Sequence, residues 1–268
     1  MKTLLFLYAL IFIFQCRVFA QEGPPLRKVM ELKGRPGAGT DGGGVVWHPG
    51  QRKYYAAMAG QANFPLSVYD EKGMQLSGDR LVTMTNLRGM WYNPNTRTIQ
   101  TNGFATFGWR EYDLDIDGIP EGIKIIQEGQ HQPGPDHVGT YNPAADVLYF
   151  LDTEEGMRLA IYSMKTGNTR YNLTLHLQKT SELISEDDDE TDDEYNHTNA
   201  VFTGIQNMEI ALLNVTQKRI EFYKLNGLMT ASRALPAETL TYSTFNFAFA
   251  NGIFWLFNKA ERQWDGYK

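Results

Sequence analysis

A phrase ending in proline recurs along this chain. Gly44-Val-Val-Trp-His-Pro49 is followed by Gly89-Met-Trp-Tyr-Asn-Pro94 and then by Gly139-Thr-Tyr-Asn-Pro143, giving intervals of 45 and 49 residues between prolines. Each phrase opens onto an apolar run, at residues 54–58, 98–104 and 147–151. A second run closed by a turn comes next, at residues 67–73, 110–118 and 160–167. Two weaker copies follow, one from Phe202 to Gly227 and one from Phe245 to Tyr267, and both contain Asn-Gly, a strong hairpin signal. The step into the fourth copy is lengthened by a polar insertion at about residues 179–198. Proline after His or Asn presets one φ of a turn, and glycine supplies positive φ later in the unit. Each unit therefore reads as strand, turn, strand, loop, strand, tight turn, strand.

A period of about 40 to 50 residues with four strands per unit is the signature of a β-propeller. The expectation is an all-β propeller of five blades, each of four antiparallel strands. Six blades with one degenerate unit is the alternative, and a stacked solenoid or sandwich is the rival architecture. The last copy stops at Lys268 after its third strand, while residues 27–33 alternate like a lone strand ahead of the first copy. Pairing residues 27–33 with residues 262–267 would complete a blade, remove an exposed edge and bury Val29 and Leu32. Through this rhythm and its Tyr/Trp-Asn-Pro phrases, most of residues 26–268 resembles the broad group of secreted bacterial propellers with NHL-like or YncE-like blades. The resemblance concerns the fold and implies no particular activity.

Lys2, the apolar run of residues 4–14 and Val18-Phe-Ala20 read as a signal peptide over residues 1–20, with cleavage after Ala20. The run is too short for a spanning helix, which needs roughly 20 residues. The expected protein is secreted or periplasmic, with a propeller domain at 21–268 and no membrane span. The one cysteine, Cys16, leaves with the signal, which excludes disulfides, thiol catalysis and thiolate metal sites from the rest. Nine of the 31 acidic residues lie within residues 182–194, and the remainder is close to neutral. No basic stripe is present to neutralise a phosphate backbone, so nucleic acid is not an expected partner.

Two sets of residues are candidates for chemistry. Asp113, Asp115 and Asp117, followed by Gly118, match the opening of a calcium loop, in which alternate carboxylates converge on a hard cation. An EF-hand would need a bidentate acid where Lys124 stands, and a hairpin turn is the competing reading. Calcium is the only cofactor suggested.

The propeller resemblance implies that loops leading into the innermost strands gather at one mouth of the central channel. Those loops carry Asp41, Asn86 with Arg88, Asp136 with His137, and Asn199, a polar ring suited to a sugar, an ion or water. The function expected is binding or scaffolding, with recognition of a small molecule, glycan or protein at the mouth or rim. The alternative is a hydrolase or lyase acting on carbohydrate or a lactone. Only Asp41 and Asp136 offer carboxylates there, and no Gly-x-Ser-x-Gly elbow, P-loop or dinucleotide fingerprint occurs. Asn172, Asn196 and Asn214 begin Asn-x-Thr triplets, glycan acceptors only in a eukaryotic host.

Overall fold

The structure is a computed structural model that describes residues 20–35, 38–154, 156–177 and 194–268. Residues 1–19 of the signal-peptide reading over 1–20, and residues 179–193 of the acidic insertion at about 179–198, lie outside the described residues. The described residues form a five-bladed β-propeller.

Strands β1 (Gln21–Glu22) and β2 (Lys28–Lys33) come first and join the last two blades. Blade 1 holds β3 (Gly42–His48), β4 (Lys53–Met58) and β5 (Leu66–Asp70). Blade 2 holds β6 (Leu87–Asn93), β7 (Thr98–Gly103), β8 (Trp109–Leu114) and β9 (Pro120–Gln127). Blade 3 holds β10 (Thr140–Asn142), β11 (Val147–Asp152), β12 (Arg158–Ser163) and β13 (Thr169–Thr174). Blade 4 holds β14 (Tyr195–Phe202), β15 (Ile210–Asn214), β16 (Arg219–Tyr223) and β17 (Met229–Ala234), with β1 added parallel to its outer edge. Blade 5 holds β18 (Phe247–Ala250), β19 (Ile253–Asn258) and β20 (Gln263–Tyr267), and β2 is its fourth strand.

The recurring phrase has a local cause. The residue before proline turns its side chain back onto the turn: Asn93 Oδ1 accepts from Asn95 N at 2.9 Å and Asn142 Oδ1 from Ala144 N at 3.0 Å. His48 does the same with a ring nitrogen, its Nδ1 accepting from Gln51 N at 3.1 Å. That bond leaves Nε2–H free to donate to Arg97 O at 2.9 Å, which ties blade 1 to blade 2. Three residues after each proline, Arg52, Arg97 and Asp146 take left-handed φ of 53°, 59° and 53°, reversing the chain into the next strand.

Blade 1 has three regular strands instead of four. Residues 75–82 run along its outer edge and touch it through isolated bridges, Tyr69 with Gln75 and Pro65 with Val82. There the Ser77 hydroxyl, at 3.0 Å, accepts from Val68 N in place of a strand carbonyl. The local sequence Ser-Gly-Asp at 77–79 does not alternate, so it gives a fourth strand no buried face.

A blade buries both faces only by leaning on its neighbours. The apolar residues accordingly fall into five cores, each shared between adjacent blades. The core between blades 5 and 1 joins Leu32, Val45, Tyr54, Trp255, Phe257 and Trp264. Leu32 reaches it because β2 pairs antiparallel with β20, Leu32 opposite Trp264 and Lys28 opposite Tyr267. Val29 is not buried as expected: it stands three residues from Leu32, on the opposite face of the strand, and is 52% exposed, whereas Met30, two residues from Leu32, packs inward with it. Of the three Asn-x-Thr sites, Asn196 and Asn214 are fully buried, and Asn172 lies on the exposed part of β13.

The seam residue Leu32 is fully buried, so Leu32→Ala should cost about 2–5 kcal/mol through the lost burial and the cavity left behind. Val29→Ala should stay within about 0.5 kcal/mol. Urea unfolding of the two variants checks both; equal losses would mean that β2 is not part of the ring.

Candidate functional site

The five innermost strands β3, β6, β10, β14 and β18 contact one another in a closed ring around the central channel. The channel is narrow at its waist. Gly43, Gly44, Val138, Gly139 and Asn199 help to line a space there of about 30 Å³, room for water only. Small residues are required by the close approach of the strands. A Cβ on Gly89 would sit 2.9 Å from Gly139 N and 2.8 Å from a Val138 methyl.

Above the waist, where the chain leads into the inner strands, the channel opens into a cavity of about 280 Å³ lined by Asp41, Phe64, Arg88, Asp136 and Phe245 among others. Arg88, the second residue of β6, is its fixed point. The guanidinium lies 4.7 Å over the Phe104 ring and 5.8 Å from the Phe245 ring. Arg88 Nη1 donates to Asn86 Oδ1 at 2.9 Å and to Leu87 O at 3.0 Å, and Nε donates to Asp136 Oδ1 at 2.8 Å. The pair is asymmetric. The Arg88 side chain is 11% exposed, whereas that of Asp136 is 52% exposed and faces the cavity with an oxygen to spare. Burial pulls the Arg88 pKa below its ordinary value and Asp136 opposes the shift; an arginine stays charged throughout.

Asp41 lies on the blade 5 side of the cavity. Its Oδ1 takes the Lys259 ammonium at 2.7 Å and Asn246 Nδ2 at 3.0 Å, and its Oδ2 accepts from the Thr40 hydroxyl at 2.9 Å. Burial alone would raise the Asp41 pKa. The bonds from Lys259, Asn246 and Thr40 together outweigh burial and hold it below the ordinary carboxylate value. Lys259 is itself braced 4.4 Å over the Tyr242 ring.

Phe245 and Asn246 both adopt left-handed φ, 47° and 60°, a strained state for a bulky residue such as Phe245. The surroundings enforce it. Phe245 N donates to the Thr198 hydroxyl at 2.6 Å, and Phe245 O accepts from Asn196 Nδ2 at 2.8 Å. Asn246 Oδ1 accepts from Gly42 N at 2.7 Å, which staples blade 5 to blade 1 at the mouth. The strained pair therefore places an aromatic ring at the cavity wall and a ring-closing amide behind it.

Of the sequence-derived mouth residues, the structure brings Asp41, Arg88 and Asp136 to one cavity. Asn86 stands behind them and orients Arg88. Asn199 is 1% exposed and acts as a strap: its Nδ2 donates to Phe247 O at 2.8 Å, joining blades 4 and 5. His137 is not among the residues lining the cavity. Its ring lies against Gly134, and its carbonyl accepts from Asn102 Nδ2 at 2.8 Å. Burial lowers the His137 pKa and favours the neutral ring. Phe64, Phe245, Asn246 and Lys259 were not singled out from the sequence. The Phe245 ring, two positions before β18, reads as strand in the sequence until its left-handed φ is seen.

Asp113, Asp115 and Asp117 do not converge. Asp113 pairs with Lys124, Asp115 Oδ1 accepts from Ile119 N at 2.7 Å, and the Asp117 carbonyl accepts from Lys53. With Gly118 at φ 68°, these residues form the β8–β9 hairpin turn. Among the described residues, no three His, Cys, Asp or Glu side chains are grouped to hold a metal ion.

No protein-family model matches this chain, and no curated protein matches it. A solved structure of an auxiliary nutrient binding protein from Bacteroides thetaiotaomicron is similar over 87% of this chain at 10% identity, with a TM-score of 0.46. The match covers 60% of that chain, so this chain spans less than two thirds of its length.

Because its folded pKa is lowered, ionised Asp41 contributes stability that is present in full above the unfolded pKa. That contribution is lost as pH falls through the lowered folded value. Lys259→Met should move the Asp41 midpoint upward, as read by carboxyl-detected NMR titration; an unmoved midpoint would show that Lys259 does not hold the carboxylate.

Proposed function

We propose that this chain is an exported binding propeller that holds a small polar molecule in the mouth formed by Asp41, Arg88 and Asp136. The observation that carries this reading is the Arg88–Asp136 pair, with its cation buried and its anion open to the cavity. A guanidinium fixed by two rings and an amide loses little freedom when a ligand arrives, and that preorganisation favours affinity. Few polar groups converging in a concave, partly aromatic space are what small-molecule sites require. The lining presents acceptors on Asp41 and Asp136 and donors on Arg88, which suits a ligand carrying both hydroxyl or amine donors and oxygen acceptors.

Hydrolysis is supported less well than binding. A glycosidase needs one carboxylic acid still protonated near neutral pH. Asp41 is held in the opposite state by Lys259, Asn246 and Thr40. Export rests on residues 1–20. No helix among the described residues is long and apolar enough to cross a membrane.

A thermal-shift screen of the protein against sugars, amino acids and small organic acids, followed by calorimetry on the strongest hit, tests the proposal. Asp136→Ala should weaken that hit by about 1.5–3 kcal/mol, the range for a lost charge-assisted bond, and should also lower the melting temperature, because it leaves the buried Arg88 guanidinium without its anion. An unchanged affinity would remove the mouth as the site.

A further inference from the structure

The opposite end of the channel is of a different character. Trp47 and Tyr92 stand two residues before Pro49 and Pro94, and Tyr141 two before Pro143, so the recurring phrase delivers one aromatic ring per blade. Phe202 from β14 and Phe249 from β18 complete the set, and all five rings line one cavity of about 250 Å³. Each ring also closes the end of a different interblade core. We infer that this aromatic crown is a second binding site, and that its ligand is a single uncharged sugar ring.

The rings are braced from behind. Trp47 packs on Tyr54 at 4.6 Å, Tyr92 on His48 at 4.8 Å and Phe249 on Phe254 at 4.7 Å, all between ring centroids. The Tyr141 hydroxyl is held at 2.8 Å by Asp146. Trp47, Tyr92, Phe202 and Phe249 are nevertheless only partly buried. Rigid, partly exposed rings supply contact area at small entropic cost.

The chemistry of the lining selects the ligand class. None of the residues lining the cavity is charged. Neutral hydrogen-bonding groups stand between the rings: the Trp47 indole, the Tyr92 phenol and the Asn251 amide. A sugar ring matches this pattern, with C–H faces that pack on electron-rich rings and hydroxyl edges that meet neutral donors and acceptors. An anion would find no basic side chain, and a cation no carboxylate, only ring faces. The volume lies below the usual range for drug-sized ligands, which limits the occupant to one ring. The waist of about 30 Å³ separates this site from the charged mouth.

Saturation-transfer NMR with irradiation of the aromatic protons tests the site, using methyl glucoside, methyl galactoside, methyl mannoside and N-acetylglucosamine, with choline as the cationic comparison. The expected result is transfer to at least one sugar, with the dissociation constant weakened about tenfold or more in Trp47→Leu and in Tyr92→Leu. If either variant fails to fold, Tyr92→Phe, which removes only the hydroxyl, should still weaken the same sugar several-fold. Transfer to none of the four sugars would overturn the inference. So would transfer that persists unchanged in the variants, or a tighter response to choline than to any sugar.

Discussion

The structure depends on one strand pairing, β2 against β20, which joins parts of the chain more than 200 residues apart. Loop-closure entropy opposes such a contact only logarithmically, so distance in sequence is a modest obstacle. The gain is larger. Without β2, blade 5 would present the backbone of β20 as an open edge, and Leu32 would leave the core shared with blade 1. Since every blade buries its faces only against its neighbours, a gap at one junction exposes two sheets at once. Side-chain amides reinforce the junctions at the mouth. Asn246 joins blade 5 to blade 1, Asn199 joins blade 4 to blade 5, and Asn102, accepting from Gly139 N at 3.0 Å, joins blade 2 to blade 3. An amide both donates and accepts, so one residue can satisfy a backbone group on its own blade and another on the next.

The same economy shapes the charged mouth. Asn246 closes the ring with Oδ1 and steadies Asp41 with Nδ2. Thr198 fixes the strained turn that carries Phe245 and, through its carbonyl, accepts from Val138 N on blade 3 at 3.2 Å. Site geometry and ring closure thus share side chains. The two ends of the channel differ because different parts of the repeat supply them. Loops leading into the inner strands vary freely and bring charges, whereas the turn phrase that ends those strands repeats and brings rings.

Much of the fold was legible because the proline phrase recurs with its turn chemistry intact. Asn93 and Asn142 cap their turns as the phrase implies, and His48 substitutes for asparagine because Nδ1 can accept the same N–H. The closing strand was legible from its alternation, but Val29 was misplaced: its odd spacing from Leu32 puts it on the other face of the strand, which is exposed at that point. At the site, Asp41 and Asp136 were legible from their positions ahead of inner strands, and Arg88 from its position at the start of one. Phe245 and Lys259 were not, since one depends on a left-handed turn enforced by Thr198 and Asn196, and the other reaches Asp41 from the β19–β20 hairpin. The triple aspartate shows the reverse case. A motif with ligand spacing became a hairpin because Lys124 and the Ile119 amide claimed its oxygens.

Native-state hydrogen exchange of the β2 amides tests ring closure most directly. If β2 belongs to the ring, the protected amides of Lys28–Lys33 exchange only with global unfolding, at the rate of the buried strand β19. Exchange of β2 at the rate of a frayed terminus, while β19 stays protected, would contradict a ring closed by that strand.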